Sequence, residues 1–144
     1  MTRFFLGVAV VLAVLLWPVF APAEEAAQEL QGVAGPAAKF YGYITPVITI
    51  SKGDSLTFTN LDIEMHNIVQ DVNEDGKGGP KKVKWCKRNK GHNHGDDCPL
   101  FWSKLIGFQS STKVKGLQRT KPGETYSFFC TLHHSMKGKL VVLP

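Results

Sequence analysis

Short runs in which apolar and polar positions alternate dominate the second half of the chain, and their period is two. Tyr126, Phe128 and Cys130 fall on one face of an extended segment, with Ser127 and Phe129 on the other, the period of a β-strand. Leu140-Val141-Val142-Leu143 is short, apolar and β-branched, which predicts a buried closing strand. Further upstream, Ser55 to Thr59 sets Leu56 and Phe58 against Thr57 and Thr59, and Pro46 to Ile50 is another β-branched run. Ser51-Lys52-Gly53-Asp54 and Lys121-Pro122-Gly123-Glu124 predict the turns between such runs. Phe40 to Ile44 is the first expected strand, and a further one opens at His66 within Glu64 to Val69. Residues 99–112 are aromatic enough to rejoin the core, and Val114 to Leu117 lead toward the last turn. Strands about ten residues apart with turn signals between them, and no helical stripe of useful length, predict an all-β sandwich. A chain of 144 residues is enough for one domain around one hydrophobic core.

The N-terminal segment breaks this pattern. Arg3 is followed by a nearly unbroken apolar run from Phe4 to Phe20, ending in Ala21-Pro22-Ala23 before Glu24. That layout predicts a secretory signal peptide over residues 1–23, with an uncleaved membrane anchor as the alternative. No cysteine for lipid attachment and no twin-arginine pair lie near it. Residues 24–38 are alanine-rich and read as a linker, and the domain is expected over 39–144. Export places the protein in the periplasm or outside the cell, with no membrane span after cleavage, and a monomer is expected.

Charge and cysteine count then bear on partners and compartment. The formal net charge is +5, a mild excess that suits an acidic protein partner, a polyanion or a membrane surface without choosing among them. Seven of the positive charges, Lys77, Lys81, Lys82, Lys84, Lys87, Arg88 and Lys90, fall within fourteen residues that hold no acidic residue. With Gly76, Gly78, Gly79, Pro80 and Gly91 around them, they predict a long basic insertion loop over 71–99, with a short strand at Val83 to Trp85. The loop is either simply solvated or steers an acidic redox partner. Nucleic acid is not expected, because no interleaved aromatics offer a stacking platform. Three cysteines make an odd number. Cys86 and Cys98 are suitably spaced for one disulfide, which leaves Cys130 over in an oxidising compartment.

Metal ligation accounts for that leftover thiol. Cys130, His133 and Met136 place a thiolate, an imidazole and a thioether at three-residue spacing on one turn, a donor set that suits a soft or borderline metal, copper above all. His66 upstream supplies a second imidazole, which completes a trigonal site with a weak axial thioether. His134 reads as a solvent-exposed neighbour or a group on a docking face. His92 and His94, beside Asp96 and Asp97, form either a second metal site or a polar loop. No nucleophile–base pair or substrate pocket is legible, so an enzyme is not expected.

Four stretches, SKGDSLTFTN, MHNIV, PGETYSFFC and CTLHHSMKGKLVV, resemble the cupredoxins, the small blue copper proteins. The C-x-x-H-x-x-M spacing resembles the short ligand loop of amicyanins. The resemblance implies a Greek-key β-sandwich and one type 1 copper held by His66, Cys130, His133 and Met136. It also implies that Asn67 ties the His66 segment to the cysteine loop. It further implies one-electron transfer between redox proteins, with His66 on the buried side and the electron passing through an exposed edge of His133, where apolar residues form the docking patch. The alternative is a periplasmic protein that binds and hands over copper without a redox partner.

Overall fold

The computed structural model describes residues 27–75 and 98–144. Two sheets face each other. The first holds β1 (Glu29–Ala34), β3 (Ser55–Asn60) and β5 (Ser110–Lys113) in the order β1-β3-β5. The second holds β2 (Val47–Ile50), β4 (Val69–Gln70), β6 (Thr125–Phe129) and β7 (Lys137–Val142) in the order β2-β7-β6-β4. β1 runs parallel to β3 and β2 parallel to β7, while the β3–β5, β4–β6 and β6–β7 pairs are antiparallel. Two single helical turns, α1 (Ala38–Tyr41) and α2 (Val72–Asp75), and a 3-10 turn at Leu117–Arg119 complete the described elements. The expected all-β sandwich is what forms, and no described helix is long and apolar enough to cross a membrane.

The inward faces are those the alternation selects. Leu56 and Phe58 of β3 meet Ile48 and Ile50 of β2, Tyr126 and Phe128 of β6, and Leu140 and Val142 of β7, all in one buried cluster that also takes in Cys130 and Met136. Each large apolar side chain buried there stabilises the fold by roughly 1.5–3 kcal/mol. Tyr43 stands edge-on to Phe58 and Phe128, with ring centroids 6.2 Å and 5.2 Å away. β6 is covered on both faces, so Ser127 and Phe129 are buried as well.

Three boundaries differ from expectation. Residues 29–34, placed in the linker by their composition, form β1. Its inward positions are Leu30, Gly32 and Ala34, and with a glycine and an alanine after Leu30 they do not register as an apolar stripe. Gly32 sits under the ends of two isoleucines: a Cβ there would lie 2.8 Å from Ile68 Cδ1 and 3.1 Å from Ile48 Cδ1. Phe40 to Ile44, expected as the first strand, instead holds the end of α1, with Phe40 and Tyr41 exposed at 76% and 85%. His66 does not open a strand. It makes an isolated antiparallel bridge to Ile106, donating its N–H at 3.2 Å and accepting Ile106 N–H at 3.0 Å, and the strand β4 begins only at Val69.

Several expectations lie outside the described residues: the signal peptide, the basic run from Lys77 to Lys90, the Val83 to Trp85 strand, His92, His94 and Cys86. Cys98, the other half of the expected disulfide, is described and fully buried.

Candidate metal centre

The β6–β7 hairpin builds the site. Its ladder ends at the Phe129–Lys137 pair, so residues 130–136 form the hairpin loop. Cys130 N–H donates to Met136 O at 3.1 Å, and Met136 N–H donates to His133 O at 2.8 Å. These two bonds close the loop tightly and bring the cysteine, histidine and methionine of the sequence motif to one end of the sandwich. His66 arrives from the segment after β3, held by its bridge to Ile106. Next to it, Asn67 Oδ1 accepts the Thr131 N–H at 2.9 Å and the Thr131 hydroxyl at 3.2 Å. Tyr43 OH donates to Asn67 O at 2.5 Å. Burial, followed by the charge at Cys130, raises the Tyr43 hydroxyl well above its ordinary pKa, so it stays a neutral donor. The expected tie between the two ligand segments is therefore present.

Three of the four candidate ligands converge. His66 Nδ1 lies 3.7 Å from Cys130 Sγ, His133 Nδ1 lies 3.8 Å from the same sulfur, and the two nitrogens are 3.1 Å apart. His66, Cys130 and Met136 are fully buried, and the His133 side chain is 19% exposed. Met136 belongs to the same core cluster as Cys130. His134 stays out of the triangle. Its Nε2 donates to Thr131 O at 3.1 Å, its ring stands edge-on to Phe129 at 5.5 Å, and the residue is solvent-exposed.

Two acidic residues that the sequence reading passed over fix the outer edges of both imidazoles. His66 Nε2 lies 3.0 Å from Asp62 Oδ2, and His133 Nε2 lies 2.8 Å from Glu64 Oε2. Asp62 is nearly buried. Burial alone would raise its pKa, but hydrogen bonds from His66 and from the backbone N–H groups of Ala38, Ala37 and Ile63 outweigh it and bring the pKa down to about 2. Glu64 is held below its ordinary value, chiefly by its hydrogen bond from Lys39, with smaller help from the Lys39 and His133 charges. Both carboxylates are ionised at neutral pH and act only as acceptors, so each Nε2 carries its ring's proton.

That tautomer leaves two Nδ1 lone pairs and a sulfur facing one another, three donor atoms placed so that one metal ion could accept all of them. Nitrogen and sulfur ligands at about 2.0–2.3 Å from one ion in a plane sit roughly 3.5 Å apart, close to the edges observed. The residues therefore fit a small metal site of two nitrogens and one sulfur, the donor set of blue copper centres. A profile of copper binding proteins of the plastocyanin/azurin family matches residues 32–143.

The chain belongs to that copper-binding family.

Solved cupredoxins share its fold. Auracyanin from Roseiflexus castenholzii superposes with a TM-score of 0.55 at 23% identity, covering 81% of this chain and 97% of that one. An azurin from Methylomonas sp. strain J gives a TM-score of 0.57 at 20% identity, covering 83% of this chain and 100% of that one. A reduced amicyanin carrying a single tryptophan-to-tyrosine change gives 0.51 at 21% identity, covering 83% and 87%. Comparison with curated proteins finds no match. One type 1 copper ion fits the family's fold and the donors gathered here.

The His133 side chain keeps 19% exposure, with its Nε2 hydrogen-bonded to the half-buried Glu64. Phe40, Ile63, Met65 and Leu132, neighbours in sequence of Lys39, Glu64 and His133, are exposed at 76%, 83%, 48% and 50%.

Proposed function

We propose that the protein is an exported blue copper protein that carries single electrons between redox partners. His66, Cys130, His133 and Met136 would hold the copper. The observation that carries this reading is the triangle of two Nδ1 atoms and one Sγ, with both imidazoles fixed by carboxylates on their far sides. The bound copper supplies a one-electron couple, Cu(II)/Cu(I), at a trigonal site that suits both states. The chain's own part is to keep that site rigid and dry. The Asn67–Thr131 bonds, the Cys130–Met136 closure and the full burial of His66, Cys130 and Met136 limit what has to move when the charge changes.

The partner would be a redox protein that docks beside the partly exposed His133, next to the exposed Leu132, with the basic insertion available to steer an acidic one. In this reading the chain carries electrons and is not an enzyme. The N-terminal apolar run supports export to the periplasm or beyond, where a Cys86–Cys98 bridge would form. In that pairing Cys130 keeps its thiol, in keeping with its standing as the free cysteine of the described residues.

Copper(II) titration of the purified protein tests this function. One equivalent should produce an intense visible thiolate-to-copper absorption that bleaches on reduction and returns on oxidation, and Cys130→Ser should abolish it. Colour that survives Cys130→Ser, or a colourless complex that cycles no electrons, sinks the reading.

A further inference from the structure

Lys39, Glu64 and His133 form a chain of contacts that ends on the metal site. They come from α1, from the turn after β3 and from the ligand loop, and Glu64 joins the other two. One carboxylate oxygen accepts the His133 Nε2–H at 2.8 Å, and the other accepts the Lys39 ammonium. The backbone holds all three in place. Glu64 O accepts Asn60 Nδ2–H at 2.7 Å, Lys39 O accepts the Ser135 hydroxyl at 3.2 Å, and Asp62 accepts the Ala38 N–H at 2.8 Å, which pins α1. The ion pair is therefore part of the fold, although the Glu64 and Lys39 side chains remain 34% and 37% exposed.

We propose that Glu64 is a positioning residue that sets the reduction potential of the copper site, with Lys39 as its counterweight. This rests on the type 1 copper reading above. The carboxylate fixes the His133 ring with Nδ1 aimed at Cys130 Sγ and His66 Nδ1, and its hydrogen bond makes that nitrogen a stronger donor. Its negative charge also favours the more positive oxidation state, so Cu(II) is stabilised over Cu(I) and the potential is lowered. Lys39 offsets part of that field. Asp62 stands in the same relation to His66, but it also anchors α1, so changing it would disturb the fold. Glu64 is where the electrical effect separates from the structural one.

Two variants of the copper-loaded protein test this by voltammetry. Glu64→Gln keeps an acceptor for His133 but removes the charge. It should raise the potential by the equivalent of at least a threefold change in the Cu(I)/Cu(II) ratio, about 28 mV at 59 mV per tenfold for one electron. Lys39→Met should move it the opposite way, and the double variant should lie between the two single variants, because the two opposite charges offset each other. A merely structural contact would shift both single variants in the same direction. Thermal melting of the metal-free variants checks that each folds, and if Glu64→Gln does not, the Lys39→Met shift decides alone. A Glu64→Gln shift below threefold, or a Lys39→Met potential that is unmoved or moves the same way, overturns the proposal while leaving the copper function standing. Absence of the visible absorption in the unaltered protein overturns both.

Discussion

Asn67 and Thr131 each follow a candidate ligand, His66 and Cys130, and a single Asn67 oxygen accepts both the backbone N–H and the hydroxyl of Thr131. Sixty-four residues separate the pair, so this contact makes two distant segments into one site. Both residues are buried.

Replacing Asn67 with alanine leaves the buried Thr131 N–H without its partner, a loss of about 1–3 kcal/mol. It also frees the ligand loop from the His66 segment. Copper affinity, measured by competition with a chelator, should fall roughly 10–100-fold, as it does when residues that orient metal ligands are removed. Unchanged affinity in a folded Asn67→Ala protein would mean that the loop is held by the β6–β7 hairpin alone.

Gly138 lies in β7 where Phe128 and the backbone of Pro46 crowd against it. A Cβ added there would lie 2.3 Å and 2.5 Å from atoms of the Phe128 ring and 2.7 Å from Pro46 O. Gly138→Ala should therefore cost about 1–3 kcal/mol through overpacking, read from the urea midpoint. Phe128 is the core neighbour of Tyr43, so the displaced ring should also disturb the Tyr43–Asn67 contact.

Asp54 ties the N-terminal end of the first sheet to the β2–β3 turn. Its carboxylate accepts the Gln28 N–H at 2.8 Å and the Ser51 N–H at 2.6 Å, and these two bonds, Gln28 foremost, hold its pKa below the ordinary 3.8. A depressed carboxylate stabilises the fold fully above its unfolded value and loses that contribution as pH falls through the folded one. Asp54→Ala should therefore destabilise by about 1 kcal/mol near pH 6. That gap should close in acid below the ordinary carboxylate value of 3.8, measured by urea unfolding at both. A gap that is constant with pH would show that the charge plays no part.

The sequence revealed the metal loop more fully than the edges of the fold. Cys130, His133 and Met136 crowd three soft or borderline donors into seven residues between two alternating strands, and few other chemistries want that set. β1 was missed because two of its three inward positions are Gly32 and Ala34, which leave Leu30 as the single large apolar residue on that face. Phe40 and Tyr41 misled in the opposite sense, since apolar residues lie exposed on α1 where alternation suggested a strand. The carboxylates behind the imidazoles were hidden for another reason. Asp62 and Glu64 look like ordinary loop residues until the chain folds, and Lys39 lies 25 positions from Glu64. Only tertiary structure brings that ion pair to His133.

The most direct test of the copper site is X-ray absorption at the copper edge, on protein loaded with one equivalent of Cu(II). Two imidazole nitrogens and one short copper–sulfur bond are the predicted ligand shell, with the sulfur lost in Cys130→Ser. A shell of nitrogen and oxygen alone would contradict the site described here.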